Sequence, residues 1–215
     1  MDIRTAPLGQ QFPEAELKLH FRAIYGGVAF PGKNPGCAVL IAMDKEKHGD
    51  SYDICLLDEI ECFDIRELIR LCDALDQRYE PKLWIGDRCN DAAYHFIREL
   101  NEERRKSERV RLFDLYQTPI LQMEHLYPYV LAQIRRLLDP DHRQLFLKDS
   151  KVVNYLSGIE PGQIGDLQVG DYPAIEALAL AVLEMRNRER DYPEYDERAD
   201  MAMAESYGMP TAVGI

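Results

Sequence analysis

The sequence predicts an α/β fold: a mixed sheet whose first three strands are antiparallel, followed by strand–helix units, with helices flanking the sheet. Three observations lead there. Between Phe21 and Ile60, β-type runs are joined by short, turn-rich connections, which suit antiparallel neighbours. The second run, Cys37–Met43 (CAVLIAM), holds no polar residue, as a central strand covered on both faces would. From Asp64 onward, segments with apolar residues at three-and-four spacing alternate with short apolar strands.

Composition bounds the rest. The 215 residues are 46% hydrophobic, enough for one domain with a sizeable core. No apolar run is long enough to cross a bilayer, and the first residues lack a signal-peptide core, so no membrane role and a cytoplasmic setting are expected. Five cysteines without a CxxC pair argue against a disulfide framework or a zinc knuckle, and Cys37, Cys55, Cys62 and Cys72 read as buried thiols. A formal charge of -12 works against a general nucleic-acid-binding surface. It leaves room for a nuclease, whose metal-holding carboxylates are themselves acidic. Residues 1–20 are expected to form an N-terminal arm, 21–190 the domain, and 191–215 a mobile C-terminal tail that docks on a partner or stays free.

The elements follow in order. Phe21–Phe30 is the first strand, and its Gly26-Gly27 pair signals close backbone packing or a bulge. Pro31–Gly36 (PGKNPG) is a turn. Asp44–Asp50 reads as a charged turn and Ser51–Ile60 as the third strand. Asp64–Tyr79 is a helix with Asp64 at the N-cap and Glu67 three residues on, as in a capping box. Lys82–Ile85 is a short buried strand ending in Gly86 and Asp87. A helix capped by Asn90 or Asp91 then runs to about Asn101. Val110–Tyr116 is a fifth strand. Gln122–Leu138 is helical, kinked or restarted by Pro128. Gln144–Leu147 is extended, Asp149–Leu156 a short helix and Ser157–Gly170 a loop. Asp171–Arg190 is a helix with a nearly all-apolar middle that contains Glu176.

Two acids stand out. Asp87 closes a strand of the parallel type, where the chain is rigid and the following loop gives access. The plainer reading is a turn residue bonding the backbone. Glu176 lies in an apolar helix, where a carboxylate is expensive unless paired, liganded or protonated; the plainer reading is that it reaches the surface at the helix edge. Asp171 is close by, but five residues from Glu176 it faces another way and suits a helix cap, with Pro173 in the first turn. The basic run Arg104-Arg105-Lys106, with Arg109 and Arg111, is the candidate DNA-binding face. The interspersed Glu99, Glu102, Glu103 and Glu108 fit a solvated helix equally well.

The order of elements resembles the ribonuclease-H arrangement. That resemblance implies that the ends of the first and fourth strands lie side by side, with a late helix crossing both. Carboxylates from those places can then hold Mg²⁺ or Mn²⁺, one ion or two, for phosphodiester hydrolysis. Four stretches resemble, in order, the nuclease domain of the large terminase subunit of tailed phages: GGVAFPGKNPGCAVLIAMD, WIGDRCNDAAYHFIREL, MEHLYPYVLAQIRRLLDPDHRQLFL and DYPAIEALALAVLEM. The likeness spans about Ala23 to Arg186. It implies a metal-dependent endodeoxyribonuclease linked to DNA packaging, acting on DNA beside phage packaging proteins, with Asp87 and Glu176 catalytic and Asp87, Glu176 and Asp171 as metal-site candidates. The family's first-strand acid falls on Ala29 or its neighbours Val28 and Phe30, and no acid lies between Phe21 and Asp44. Cleavage is therefore expected to be impaired; Asp58, Glu59 and Glu61 are the candidate substitute acids, each with the plainer reading of a solvated edge residue. The alternative is a non-catalytic protein of this fold that binds DNA or a protein partner. No stretch resembles a Walker phosphate loop, so this chain is not expected to drive packaging by itself.

Overall fold

The computed structural model describes residues 21–48, 51–87, 90–107, 111–117, 128–129, 131–132, 134, 137, 145–146, 151–159, 168 and 170–189. The expected arm (1–20) and tail (191–215) lie outside the described residues, as does most of the 157–170 loop.

Among the described residues, six strands form one sheet in the order β5-β4-β1-β2-β3-β6. β1 (Phe21–Ala29), β2 (Gly36–His48) and β3 (Ser51–Cys62) make the antiparallel trio. The stretch expected as a charged turn is mostly strand: β2 continues to His48, where the ladder closes on Ser51. Asp44 pairs with Phe21 of β1, and Lys47 and His48 with Tyr52 and Ser51 of β3, across a register shift between Met43 and Lys47. β4 (Leu83–Gly86) lies parallel to β1, and β5 (Leu115–Gln117) parallel to β4. β6 (Leu145–Phe146) runs parallel to β3 on the other edge. This is the predicted ribonuclease-H-like α/β sheet. The fifth strand is shorter and later than expected, because Phe113 turns into the core before the ladder begins.

Helices cover both faces. α1 (Ile65–Tyr79) starts as predicted, with the Asp64 carboxylate accepting from Glu67 N at 2.8 Å. α2 (Asp91–Lys106) is capped by Asn90, whose Oδ1 accepts from Ala93 N at 3.1 Å. It continues a full turn past Asn101, because Arg104 is drawn inward by Asp73 and Asp76 of α1. With Trp84 and Phe113 in edge contact (centroids 6.1 Å apart), these helices cover one face. α4 (Pro173–Arg188) covers the other, with α3 (Lys151–Gly158) beside it. Among residues 122–138, the described ones are helical from Pro128, and Leu131, Ile134 and Leu137 enter this second core.

The glycine pair sets the layer spacing. A Cβ on Gly27 would stand 1.8 Å from the Ala177 carbonyl oxygen, so the backbone of α4 rests directly on β1. On the opposite face, a Cβ on Gly26 would meet the Trp84 ring at 2.2 Å. The predicted close packing therefore holds; the irregularity in the ladder falls elsewhere, between Phe21 and Ala23.

Candidate metal and nucleic-acid site

α4 runs antiparallel to β1. Its lead-in touches the turn after β1: Asn34 Nδ2 donates to the Gly170 carbonyl at 3.0 Å and to the Asp171 carbonyl at 3.1 Å. Its far end reaches the beginnings of β1 and β4, where Glu189 meets Arg22, Tyr25 and Lys82. The first turn of α4, with Glu176, therefore lies at the end of the sheet where β1 and β4 finish.

Ala29 and Asp87 stand at that same end. β1 and β4 pair in parallel up to Val28 and Gly86, and Asp87 N carries the ladder one step further to the Val28 carbonyl at 2.9 Å. Asp87 Oδ1 then accepts from Phe30 N at 3.1 Å, so the side chain supplies the next acceptor along this junction. Ala29 and Ile85 pack in the core beneath α4. Side-chain alternation places Asp87 on that face too. Thus Asp87, Ala29 and Glu176 share one end and one face of the sheet, with Asp87 and Glu176 1% and 0% exposed. The surface reading of Glu176 is discarded by its burial; its Oε2 accepts from Gly170 N at 2.9 Å.

Asp171 is placed otherwise. The N-cap of α4 is Tyr172, with no side-chain capping bond, and the exposed Asp171 carboxylate accepts from Gln168 N at 3.0 Å. The expected cap is corrected: Asp171 closes the turn before the helix, since it sits one residue too early to reach the first free amides. Pro173 occupies the first turn as expected.

The substitute acids separate by face. Asp58 accepts from Tyr79 OH of α1 at 3.2 Å, so it lies on the side away from α4. Glu59 Oε2 takes the Val152 amide at the start of α3. Glu61 pairs in register with Cys37, and Cys37 with Ala29, so Glu61 shares the row of Ala29 two strand spacings away, about 10 Å. Among the described residues, no three acid, histidine or cysteine side chains gather closely enough to hold a metal ion.

The basic candidates divide as well. Arg104 is 3% exposed and bound to Asp73, Asp76 and the Arg111 carbonyl. Asp76 also accepts from Trp84 Nε1 at 3.2 Å and from Arg111 at 3.0 Å. The expectation of a DNA contact at Arg104 is corrected, because its charge is neutralised inside the fold. Arg105 and Lys106 are exposed. They stand at the far end of α2, about 20 Å along the helix from the strand ends. A cavity of about 370 Å³ between α1 and α2, lined by Arg66, Ile69, Arg70, Phe96, Glu99 and Leu100, lies on the face opposite α4. Cys37, Cys55 and Cys72 are buried thiols as expected, whereas Cys62 is half-exposed. Burial, and then the charges of Asp44 and Asp53, push the Cys55 thiol up to about 12.

In the sequence Asn34 falls in a turn and Asp76 does not stand out. Both gain their roles from segments distant in the chain, and nothing in their local spacing signals it.

A chain of this topology has the fold seen in large terminase nucleases. The large terminase nuclease from thermophilic phage G20c superimposes with a TM-score of 0.51 at 10% identity, over 77% of this chain and 85% of that one. The nuclease domain of the large terminase g2p from bacteriophage SPP1, with bound Mn, aligns at a TM-score of 0.48 and 18% identity, over 80% and 92% of the two chains. No protein-family model and no curated protein sequence matches the chain.

Proposed function

We propose that the chain is a large-terminase-type nuclease domain that engages DNA during genome packaging, with a cleavage site impaired by Ala29. One observation carries this reading: Asp87 and Glu176 stand at one end and on one face of this sheet, and an alanine occupies the neighbouring strand end. Both acids are hard oxygen donors of the kind Mg²⁺ or Mn²⁺ takes, and such ions are commonly held by one or two carboxylates and water. The donor set fits one such ion and not a pair, since Ala29 offers no oxygen to bridge two. A bound divalent cation would polarise a phosphate and activate water. Asp87 and Glu176 would orient it, held in place by the Phe30 and Gly170 amides. The partners this reading implies are DNA and packaging proteins, in the cytoplasm of an infected or lysogenic cell.

The test is nicking of supercoiled plasmid in Mn²⁺, alongside calorimetric titration of the cation. The wild-type protein should bind one ion and nick slowly. Asp87→Asn, which keeps an acceptor for Phe30 N, should abolish nicking. Ala29→Asp should raise the rate at least about tenfold, in the range that electrostatic groups at such sites supply. If neither wild type nor Ala29→Asp binds Mn²⁺ or nicks, the nuclease reading fails. A non-catalytic binding role, which Ala29 itself favours, then stands in its place.

A further inference from the structure

We propose that Asn34 is a positioning residue for Glu176, and this rests on the reading of Glu176 as a site carboxylate. Asn34 lies in the turn that joins β1 to β2, just past Ala29. Its amide donates to two successive carbonyls, Gly170 at 3.0 Å and Asp171 at 3.1 Å. Gly170 has φ of +95°, a left-handed conformation that glycine adopts without strain. In that conformation its own N–H reaches Glu176 Oε2 at 2.9 Å. Asn34 thus grips the two carbonyls that follow the Cα of the glycine whose amide, on the other side of that Cα, holds the carboxylate. The latch joins chain segments about 136 residues apart and fixes the first turn of α4 relative to the end of β1.

The chemistry is that of an outer-sphere group at a cation site: Asn34 touches neither ion nor substrate and acts through Gly170. Asn34 is exposed, so its replacement leaves both cores intact. Asn34→Asp keeps the shape but loses the donor, whereas Asn34→Ala loses both.

Two readouts separate the latch from the metal reading. The first is hydrogen exchange of the Gly170 amide in protein without metal. Both variants should exchange faster by about tenfold, the equivalent of one or two lost hydrogen bonds, while the Tyr94 amide, bonded to Asn90 at the start of α2, stays unchanged. The second is Mn²⁺ affinity, which should weaken about 10- to 100-fold in both variants, as for loss of a ligand's supporting partner. Unchanged Gly170 exchange in Asn34→Asp overturns the proposal. Faster Gly170 exchange in a protein whose wild type binds no Mn²⁺ upholds the latch and removes the metal reading instead.

Discussion

Glu189 shows how much one residue can tie together. Its carboxylate is 5% exposed and accepts from Tyr25 OH at 2.8 Å and Arg22 Nε at 3.2 Å, with Lys82 as a third partner. Burial alone would push its pKa up. The hydrogen bonds from Lys82 and Tyr25, with the charges of Lys82 and Arg22, outweigh that and hold it below the usual carboxylate value. A lowered folded-state pKa means the stabilisation is complete above the unfolded pKa, near 4.5. It is lost as pH falls from there through the folded value. Urea denaturation of wild type should therefore lose stability as pH falls below about 5, and Glu189→Gln should flatten that part of the profile. At pH 7, Glu189→Gln should destabilise by about 2 kcal/mol, less than a fully buried pair because Lys82 and Arg22 are partly exposed.

Elements meet at contacts too close for larger residues. α4 rests on β1 at Gly27, where any added carbon would collide with the Ala177 carbonyl. Backbone cannot swing aside as a side chain can, so Gly27→Ala should cost about 3 kcal/mol in denaturant unfolding. On the other face, α1 and α2 are joined by Asp76 and Arg104, 1% and 3% exposed. Asp76→Ala would leave the buried Arg104 with Asp73 as its remaining carboxylate partner, and would remove the acceptor of the Trp84 N–H and of Arg111. A loss of about 3–5 kcal/mol is expected, read as a drop in thermal midpoint. Arg104 also marks a limit of pattern reading: a basic helix end looks the same in sequence whether it faces solvent or an acidic helix. Asp64, Asn90 (one of two neighbouring candidates, with Asp91) and Pro173 were legible because caps and first-turn prolines act within four residues of themselves.

Across the whole molecule, charge and topology pull in different directions. The chain carries a formal -12, and Arg105 and Lys106 lie at the opposite end of α2 from the strand-end acids. A duplex touching both places would cross about six base pairs of length. Arg105→Gln with Lys106→Gln should weaken plasmid binding and lower its salt dependence by about two units of slope. The nicking rate at saturating DNA should not change, because neither residue is near Asp87. Fluorescence anisotropy over a salt series checks the first expectation and a single-turnover nicking assay the second.

The sequence by itself determined most of the strands and helices, the helix starts at Asp64 and near Asn90, and the acid after β4. Each of these is written in alternation, three-and-four spacing or a residue type within a few positions. The tertiary structure alone decided that Asp87, Ala29 and Glu176 share one end and face, that Arg104 is withdrawn into an ion pair, that Asp171 closes a turn, and that Asn34 grips the lead-in to α4. These depend on pairings between segments up to about 136 residues apart. Local spacing carries no record of which distant backbone a side chain will meet, because chain closure and sheet order set that partner.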